Sequence, residues 1–309
     1  MNVLSFDRQV RVVSALVEGC SLRATERLSG ANRETVGNLA LDLGERCAGL
    51  HDALLCDVRS SVLELDEIWA FIGKKQRRVQ PTDPLEMGDS YTYIGLDANK
   101  KAIISYAVGK RDAATTNAFA LDLRSRVLGR PQITTDGFAP YVEAIMRAFG
   151  EEVDYSMLIK QYGNTPDEDQ RRYGPARCVG AKKVWIAGEP DYDKTSTSYV
   201  ERGNLTIRMQ VRRFTRLTNA FSKKLRNHRA AVSLHVCWHN FCRVHETLRT
   251  TPAVAVGVAD HVWSVAELVE TAQTMAPVDL AGPAGPCGPP ALTSWPQPGP
   301  VALLEAGQP

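Results

Sequence analysis

Between positions 62 and 69 the chain reads Val-Leu-Glu-Leu-Asp-Glu-Ile-Trp, a strand-like alternation that carries three carboxylates. Leu63, Leu65 and Ile68 are expected on one side of that strand. Asp is depleted in strands, and a carboxylate buried among apolar neighbours is costly unless it is paired or binds a metal. A fold that contains this strand must therefore bond Asp66 to backbone at a strand end or build a charge-tolerant site around it. For one acid taken alone the backbone-bonded end is the ordinary outcome.

The following 90 or so residues extend the strand into a sheet. Residues 91–97 and 101–108 read as two more strands joined by Ala98-Asn99-Lys100, an antiparallel hairpin. Residues 74–88, basic and then Pro-containing, interrupt as a loop. An amphipathic helix is expected over 115–128, a short strand over 131–136 and a helix over 140–149, with Pro140 in its first turn and Gly150 after its end. Residues 153–159 fit a fifth strand. The order β-β-β-α-β-α-β is mixed α/β. Asp136 falls at the carboxyl end of the fourth strand, just before Gly137, where ligands gather in open α/β sheets. Residues 161–196, polar and rich in Gly, Pro and charge, read as a loop insertion.

A third acid follows in the stretch Tyr199-Val-Glu-Arg-Gly-Asn-Leu-Thr-Ile-Arg208. On a helix, Glu201, Asn204 and Arg208 share one face, while Val200, Ile207, Val211 and Phe214 form an apolar stripe beside it. Ser198-x-x-Glu201 also reads as a capping box, with Glu201 bonding backbone at the helix start. From Arg202 to Arg229 there are nine Lys or Arg and no Asp or Glu. A local basic run of this kind is a nucleic-acid footprint, against the alternative of a merely solvated helix face. A further helix is expected over 229–248. His235, Cys237, His239, Cys242 and His245 crowd within it, but they spread over several faces and fit core packing around Trp238, Phe241 and Val244 better than a zinc site. Residues 262–271 close the pattern with a short helix.

Ahead of the sheet, residues 6–46 read as three short helices. Ser21 caps the second, Ser29-Gly30 stops it, and Arg33 begins the third. Helix, Gly-containing turn, helix is the outline of a helix-turn-helix, with Arg33, Glu34, Thr35 and Asn38 facing a DNA groove. A plain three-helix bundle with no DNA role is the alternative, since six basic residues balance six acidic ones here. After Thr274 come nine of the seventeen prolines and no Lys or Arg. A tail of that composition is expected to be disordered. The chain thus divides into an N-terminal unit over 1–50, a core over 60–272 and a tail over 274–309. Net charge is only +2, and the apolar share of 44% is that of an ordinary globular protein. No apolar run reaches the length of a membrane helix and no signal-peptide pattern opens the chain, so a cytoplasmic protein is expected.

The span from about 60 to 270 resembles the catalytic core of bacterial insertion-sequence transposases of the DDE class, which have a ribonuclease H-like fold. The resemblance is carried by Leu65-Asp66-Glu67-Ile68-Trp69, by Thr135-Asp136-Gly137, and by Tyr199-Val-Glu201-Arg-Gly-Asn204 with Arg208 seven residues after the acid. Trp238-His-Asn-Phe-Cys-Arg243-Val-His245-Glu-Thr-Leu248 and Thr251-Pro252-Ala253 resemble the closing motif of such enzymes. Sixty-nine residues separate Asp66 from Asp136 and sixty-four separate Asp136 from Glu201.

The resemblance implies that Asp66, Asp136 and Glu201 are a catalytic, metal-binding triad for two Mg²⁺ ions, Mn²⁺ being the alternative. It implies strand cleavage at transposon-end inverted repeats and joining to target DNA, by a homodimer or larger assembly. Arg208 would bind flanking phosphates, and more loosely Arg202, Asn204, Arg212 and Arg213, with Lys223 and Lys224 extending the track together with Arg226. The N-terminal unit would bind the element's ends through Arg33, Thr35 and Asn38. The rival is a DNA-binding regulator that keeps the fold without catalysis.

Overall fold

The computed structural model describes residues 4–163, 178–215 and 218–280. Three helices come first, α1 (Phe6–Val17), α2 (Leu22–Ser29) and α3 (Arg33–Leu54). The Ser21 hydroxyl accepts from the Ala24 N–H at 3.1 Å, and Asn32 Oδ1 accepts from the Glu34 N–H at 2.9 Å, so both expected starts are capped. Gly30 ends α2 in the left-handed region at φ 67°, which costs glycine nothing.

Helix α3 runs well past residue 43. Its first turns pack Val36 against Val12 and Ala31, while Leu43, Cys47 and Leu50 enter the main core. The N-terminal unit and the core therefore share one continuous helix. A Cβ built on Gly44 would lie 2.3 Å from the carbonyl oxygen of Ala230. Only glycine permits so close an approach.

After α3 come β1 (Val58–Arg59), β2 (Val62–Ile72), β3 (Gly88–Asp97) and β4 (Ile103–Gly109). Then follow α4 (Ala113–Arg126), β5 (Val127–Leu128), β6 (Gln132–Thr135), α5 (Pro140–Phe149), β7 (Asp154–Tyr162) and β8 (Cys178–Ala187). Strands β1 and β5 pair with each other in parallel. The other six form one mixed sheet in the order β4-β3-β2-β6-β7-β8. Strand β2 pairs antiparallel with β3 and parallel with β6, β6 is parallel to β7, and β8 is antiparallel to β7.

Strand β2 is covered on both faces. Leu63 and Leu65 join Tyr93, Phe119, Leu123 and Ile133 in one core layer. Ile68 was expected beside them, but it lies in the opposite layer with Val200, Ile207, Val211 and Phe214. The strand period of two requires this, because 63 and 65 are odd and 68 is even.

Two further expectations are corrected. The loop expected over 161–196 contains β8, an edge strand whose lysines and glycine mask the alternation; residues 164–177 of that stretch lie outside the described residues. The helix expected to reach Leu248 stops earlier. Helix α6 (Ser198–Gln210) is followed by α7 (Leu225–Cys237), which widens into a single π turn, Trp238–Cys242. Beyond it the chain turns back, the His245 N–H donating to Thr250 O at 2.9 Å and Arg249 adopting φ 56°. Trp238 and Phe241 are core residues as expected, whereas Val244 is exposed.

Helices α8 (Pro252–Val256) and α9 (Val265–Thr274) complete the fold. Residues 275–280 then lie along α3, Arg46 donating to Met275 O at 2.7 Å and the Val278 N–H to Glu45 O at 3.2 Å. The rest of the expected disordered tail, 281–309, lies outside the described residues.

Candidate active site

The site grows from the sheet register. Glu64 on β2 is the partner of Thr134 on β6. Two residues further along these parallel strands stand Asp66 and Asp136, side by side where β6 has ended. Asp66, Glu67 and Asp136 each bring a carboxylate oxygen within 4.8 Å of the other two. Helix α6 crosses the other side of the opening and presents Glu201. Asp66, Asp136 and Glu201 line a cleft of about 450 Å³ with Arg111, Phe138, Lys160 and Thr197. All three acids expected from the sequence thus reach one cleft, and Asp66 and Asp136 form its tightest group with Glu67 rather than with Glu201.

Each acid is held by identifiable partners. Asn204 Nδ2 donates to Asp66 Oδ2 at 2.7 Å, and Asp136 Oδ1 accepts from the Phe138 N–H at 2.9 Å. Arg111 bridges Glu67 at 3.2 Å and Asp136 at 3.3 Å, its guanidinium 3.9 Å above the Phe138 ring. Glu201 Oε1 accepts from the Thr197 hydroxyl at 2.6 Å and pairs with Lys160 Nζ. The capping box is not formed. Thr197 occupies the cap position, Ser198 is already helical, and Glu201 turns toward the cleft.

The electrostatics of this cluster are unfavourable as it stands. Burial, reinforced by the charges of Asp136 and Glu201, pushes Asp66 up to about 6. Burial and the Asp136 charge push Glu67 up to about 7. The buried Oε1 of Glu67 has the buried Tyr141 hydroxyl as its neighbour, which offsets only part of the cost of its burial. Fully ionised, the four carboxylates would exceed their two cations, Arg111 and Lys160, by two charges, and the raised proton affinities of Asp66 and Glu67 reflect that excess. A divalent cation would offset it, and oxygen donors of this kind suit Mg²⁺.

Glu64 has a separate, structural task. It is buried beneath α6 and accepts the Val200 N–H at 2.8 Å, which fixes the start of the helix that carries Glu201. Burial pushes it up to about 7.

The expected DNA-contacting residues divide. Arg202, Arg212, Lys223 and Lys224 are exposed, and Arg208 and Arg213 are half-buried. Asn204 is not a surface residue. It is 2% exposed, because the same helix face that carries Glu201 packs onto β2 and gives its amide to Asp66. Arg226 is drawn away by Glu45, to which its Nη2 donates at 2.9 Å. In the N-terminal unit Arg33 and Asn38 are exposed and Thr35 is half-buried. The expected histidine and cysteine group forms no metal cluster among the described residues. His239 instead bonds Lys101 O at 2.9 Å and Cys237 bonds Cys47 O at 3.1 Å.

Sequence reading missed Glu67, Arg111 and Lys160 as site residues. Glu67 had a signal, since it adjoins Asp66 in the same strand. Arg111 and Lys160 had none, because only the folded sheet brings them to the acids.

No family model and no curated protein matches the sequence. Among solved structures, the chain is similar to the piggyBac transposase in a cryo-EM synaptic complex with hairpin DNA. Identity is 13% and the TM-score 0.37, over 86% of this chain and 69% of that one. It is also similar to the Mos1 transposase in a paired-end complex with the left transposon end, 13% identical at a TM-score of 0.21, over 50% of this chain and 60% of that one. Likeness at this level decides nothing about chemistry. Among the described residues no helix is long and apolar enough to cross a membrane.

Proposed function

We propose that the chain is a DNA transposase of the DDE class with a ribonuclease H-like catalytic core. The observation that carries the reading is the convergence of Asp66, Glu67 and Asp136 within 4.8 Å, with Glu201 lining the same cleft as Asp66 and Asp136. Asp66, Asp136 and Glu201 would hold two Mg²⁺ ions, with Glu67 adding negative charge beside them. Bound there, the ions would supply charge stabilisation to the attacking and leaving oxygens of an in-line phosphoryl transfer.

The chain's own residues would do the rest. Asn204 fixes the orientation of Asp66, and Thr197 that of Glu201. Arg111 and Lys160 screen the acids from one another and sit where a phosphate of the DNA backbone would enter. In the first step a water oxygen bonds to phosphorus at the transposon end, the bond to the 3′ oxygen breaks, and that oxygen leaves as a hydroxyl. In the second step this hydroxyl attacks a target phosphodiester and displaces the target's own 3′ oxygen. No covalent bond to the protein is required.

Exposed Arg202, Arg212, Lys223 and Lys224 would hold phosphates on either side of the cut. Arg33, Thr35 and Asn38 at the start of α3 would read the element's inverted repeat. Two ends must meet, so a dimer or larger assembly on DNA is part of the proposal.

The test is strand cleavage and strand transfer with Mg²⁺ on DNA that carries the inverted repeats flanking the reading frame. Asp136→Asn is expected to abolish both steps while leaving end binding nearly intact. Normal cutting by that variant sinks the assignment. Joining with cleavage separates a transposase from a nuclease, and binding without either marks the regulator.

A further inference from the structure

A second concavity, larger than the acidic cleft, lies along the same strand. It is a groove of about 840 Å³ at the far end of β2, between Trp69–Gly73 with the loop that follows and residues 213–215 and 218–221. Two features set its chemistry. Half-buried aromatic side chains form one wall: Phe71 stacks on Phe221 at 4.7 Å between ring centres, and Trp69 lies 5.8 Å from Phe71. Cations line the remainder. Lys74 is neutralised by Asp83 at 2.7 Å, but among the described residues Lys75, Arg77, Arg78 and Arg213 make no ion pair.

The groove is built rather than accidental. Its two walls are tied together by the Gly73 N–H donating to Ser222 O at 2.8 Å and by the parallel bridge of Ile72 with Ser222, and Arg213 Nη1 donates to Ser222 Oγ at 3.2 Å within the second wall. Ring faces beside unpaired cations are what an unstacked nucleic-acid strand requires: stacking surfaces for bases and counter-charges for phosphates. A duplex offers its phosphates but keeps its base faces stacked inside, so the aromatic wall would be wasted on it. An acidic peptide would use the cations and leave the rings idle.

We propose that this groove binds an unpaired stretch of DNA strand, bases against Phe71, Phe221 and Trp69 and phosphates on Lys75, Arg77, Arg78 and Arg213. The choice of DNA rests on the transposase reading; the stacking mode does not. Strand β2 links the two places. Asp66 and Trp69 are three residues apart, about 10 Å along the strand but on opposite faces of it. The route between them passes the edge that β2 presents beyond the end of β6 and spans at least roughly three nucleotides of stacked chain. A strand freed at the acidic cleft would thus be received by the groove within a few nucleotides.

Binding is measured by fluorescence anisotropy in EDTA on the full chain and on its Asp136→Asn variant, so loss of catalysis leaves the result readable. The probes are a dT12 oligonucleotide, a 12-residue abasic strand with the same phosphates, and a 12-base-pair duplex. Expected is at least fivefold tighter binding of dT12 than of the abasic strand. Phe71→Leu, which keeps the apolar contact and removes the ring face, should erase that ratio while abasic binding stays unchanged. Arg77→Ala with Arg78→Ala should weaken both strands alike, keep the ratio, and lower the salt slope by about 1.4. Equal binding of dT12 and the abasic strand by the unaltered protein overturns the proposal, whatever the variants do. So does a loss of duplex binding in Phe71→Leu equal to its loss of dT12 binding, since a duplex shows no base faces to lose, or displacement of dT12 by polyglutamate at equal charge.

Discussion

Asn204 reaches across 138 positions of chain to hold Oδ2 of Asp66 at 2.7 Å. This bond joins the helix of the third acid to the strand of the first, as the Val200 N–H bond to Glu64 does one turn earlier. Loss of such a supporting partner costs about 10- to 100-fold in metal affinity. Asn204→Ala is expected to weaken Mg²⁺ binding in that range, read by calorimetry. Unchanged affinity would show that Asp66 is oriented by the backbone alone.

The cluster's proton affinity gives a pH signature. Asp66 and Glu67 bind a proton at about 6 and about 7 when folded, above the ordinary carboxylate range. Between roughly pH 4 and 7 the folded protein therefore holds protons that the unfolded chain has lost, so each group withdraws stability as pH rises through that window. His228 and His239, pushed down by burial to about 3 and about 4, work in the opposite sense, adding stability as pH rises toward 6.5. The bare pH profile mixes the two. The increment from Mg²⁺ does not, because the ion must displace the carboxylate protons. At a hundredfold excess over Kd it should stabilise by about 2.7 kcal/mol at pH 8, roughly 5 °C in Tm, and by little at pH 5. An equal shift at both values would place the ion elsewhere.

Gly44 is a packing constraint that no other residue satisfies. Its Cβ would stand 2.3 Å from Ala230 O, a backbone atom that cannot rotate aside. Gly44→Ala must push α3 off α7 and is expected to cost about 1–3 kcal/mol, despite alanine's better helix propensity. Urea unfolding reads the loss. A neutral or stabilising result would mean the two helices separate more easily than their contact implies.

End recognition is best tested by point changes in α3. Removing residues 1–50 would strip Leu43, Cys47 and Leu50 from the core and unfold the protein, so that deletion cannot isolate DNA reading. Arg33→Ala and Asn38→Ala touch exposed side chains only. Together they should reduce discrimination between inverted-repeat and random duplex at least tenfold with Tm unchanged. Retained discrimination would remove α3 from the reading role.

Much of this was legible in the sequence. The β-β-β-α-β-α-β order follows from alternation and capping signals, and Val200 and Ile207 are buried on α6 as their spacing requires, while Val211 and Phe214 join the same layer from beyond the helix end at Gln210. Strand β8 was not legible, because an edge strand needs no apolar face and its lysines read as loop. The end of α7 was hidden too, since a π turn keeps helical composition until Arg243. In the site, the acids announced themselves by being out of place in strands. Their cationic partners Arg111 and Lys160 did not, for an exposed Arg or Lys is ordinary anywhere on a surface.

Helix α3 spans 22 residues, about 33 Å end to end. Its first turn carries the proposed reading residues, and its later turns are locked into the core at Gly44. There is no linker between the two ends at which slack could enter. Under the proposed function the helix is a measuring rod: the offset between the sequence recognised and the phosphodiester cut would be set by its length. Inserting a single residue into α3 would then rotate the reading face by about 100° relative to the acids, and so silence the protein without touching either place.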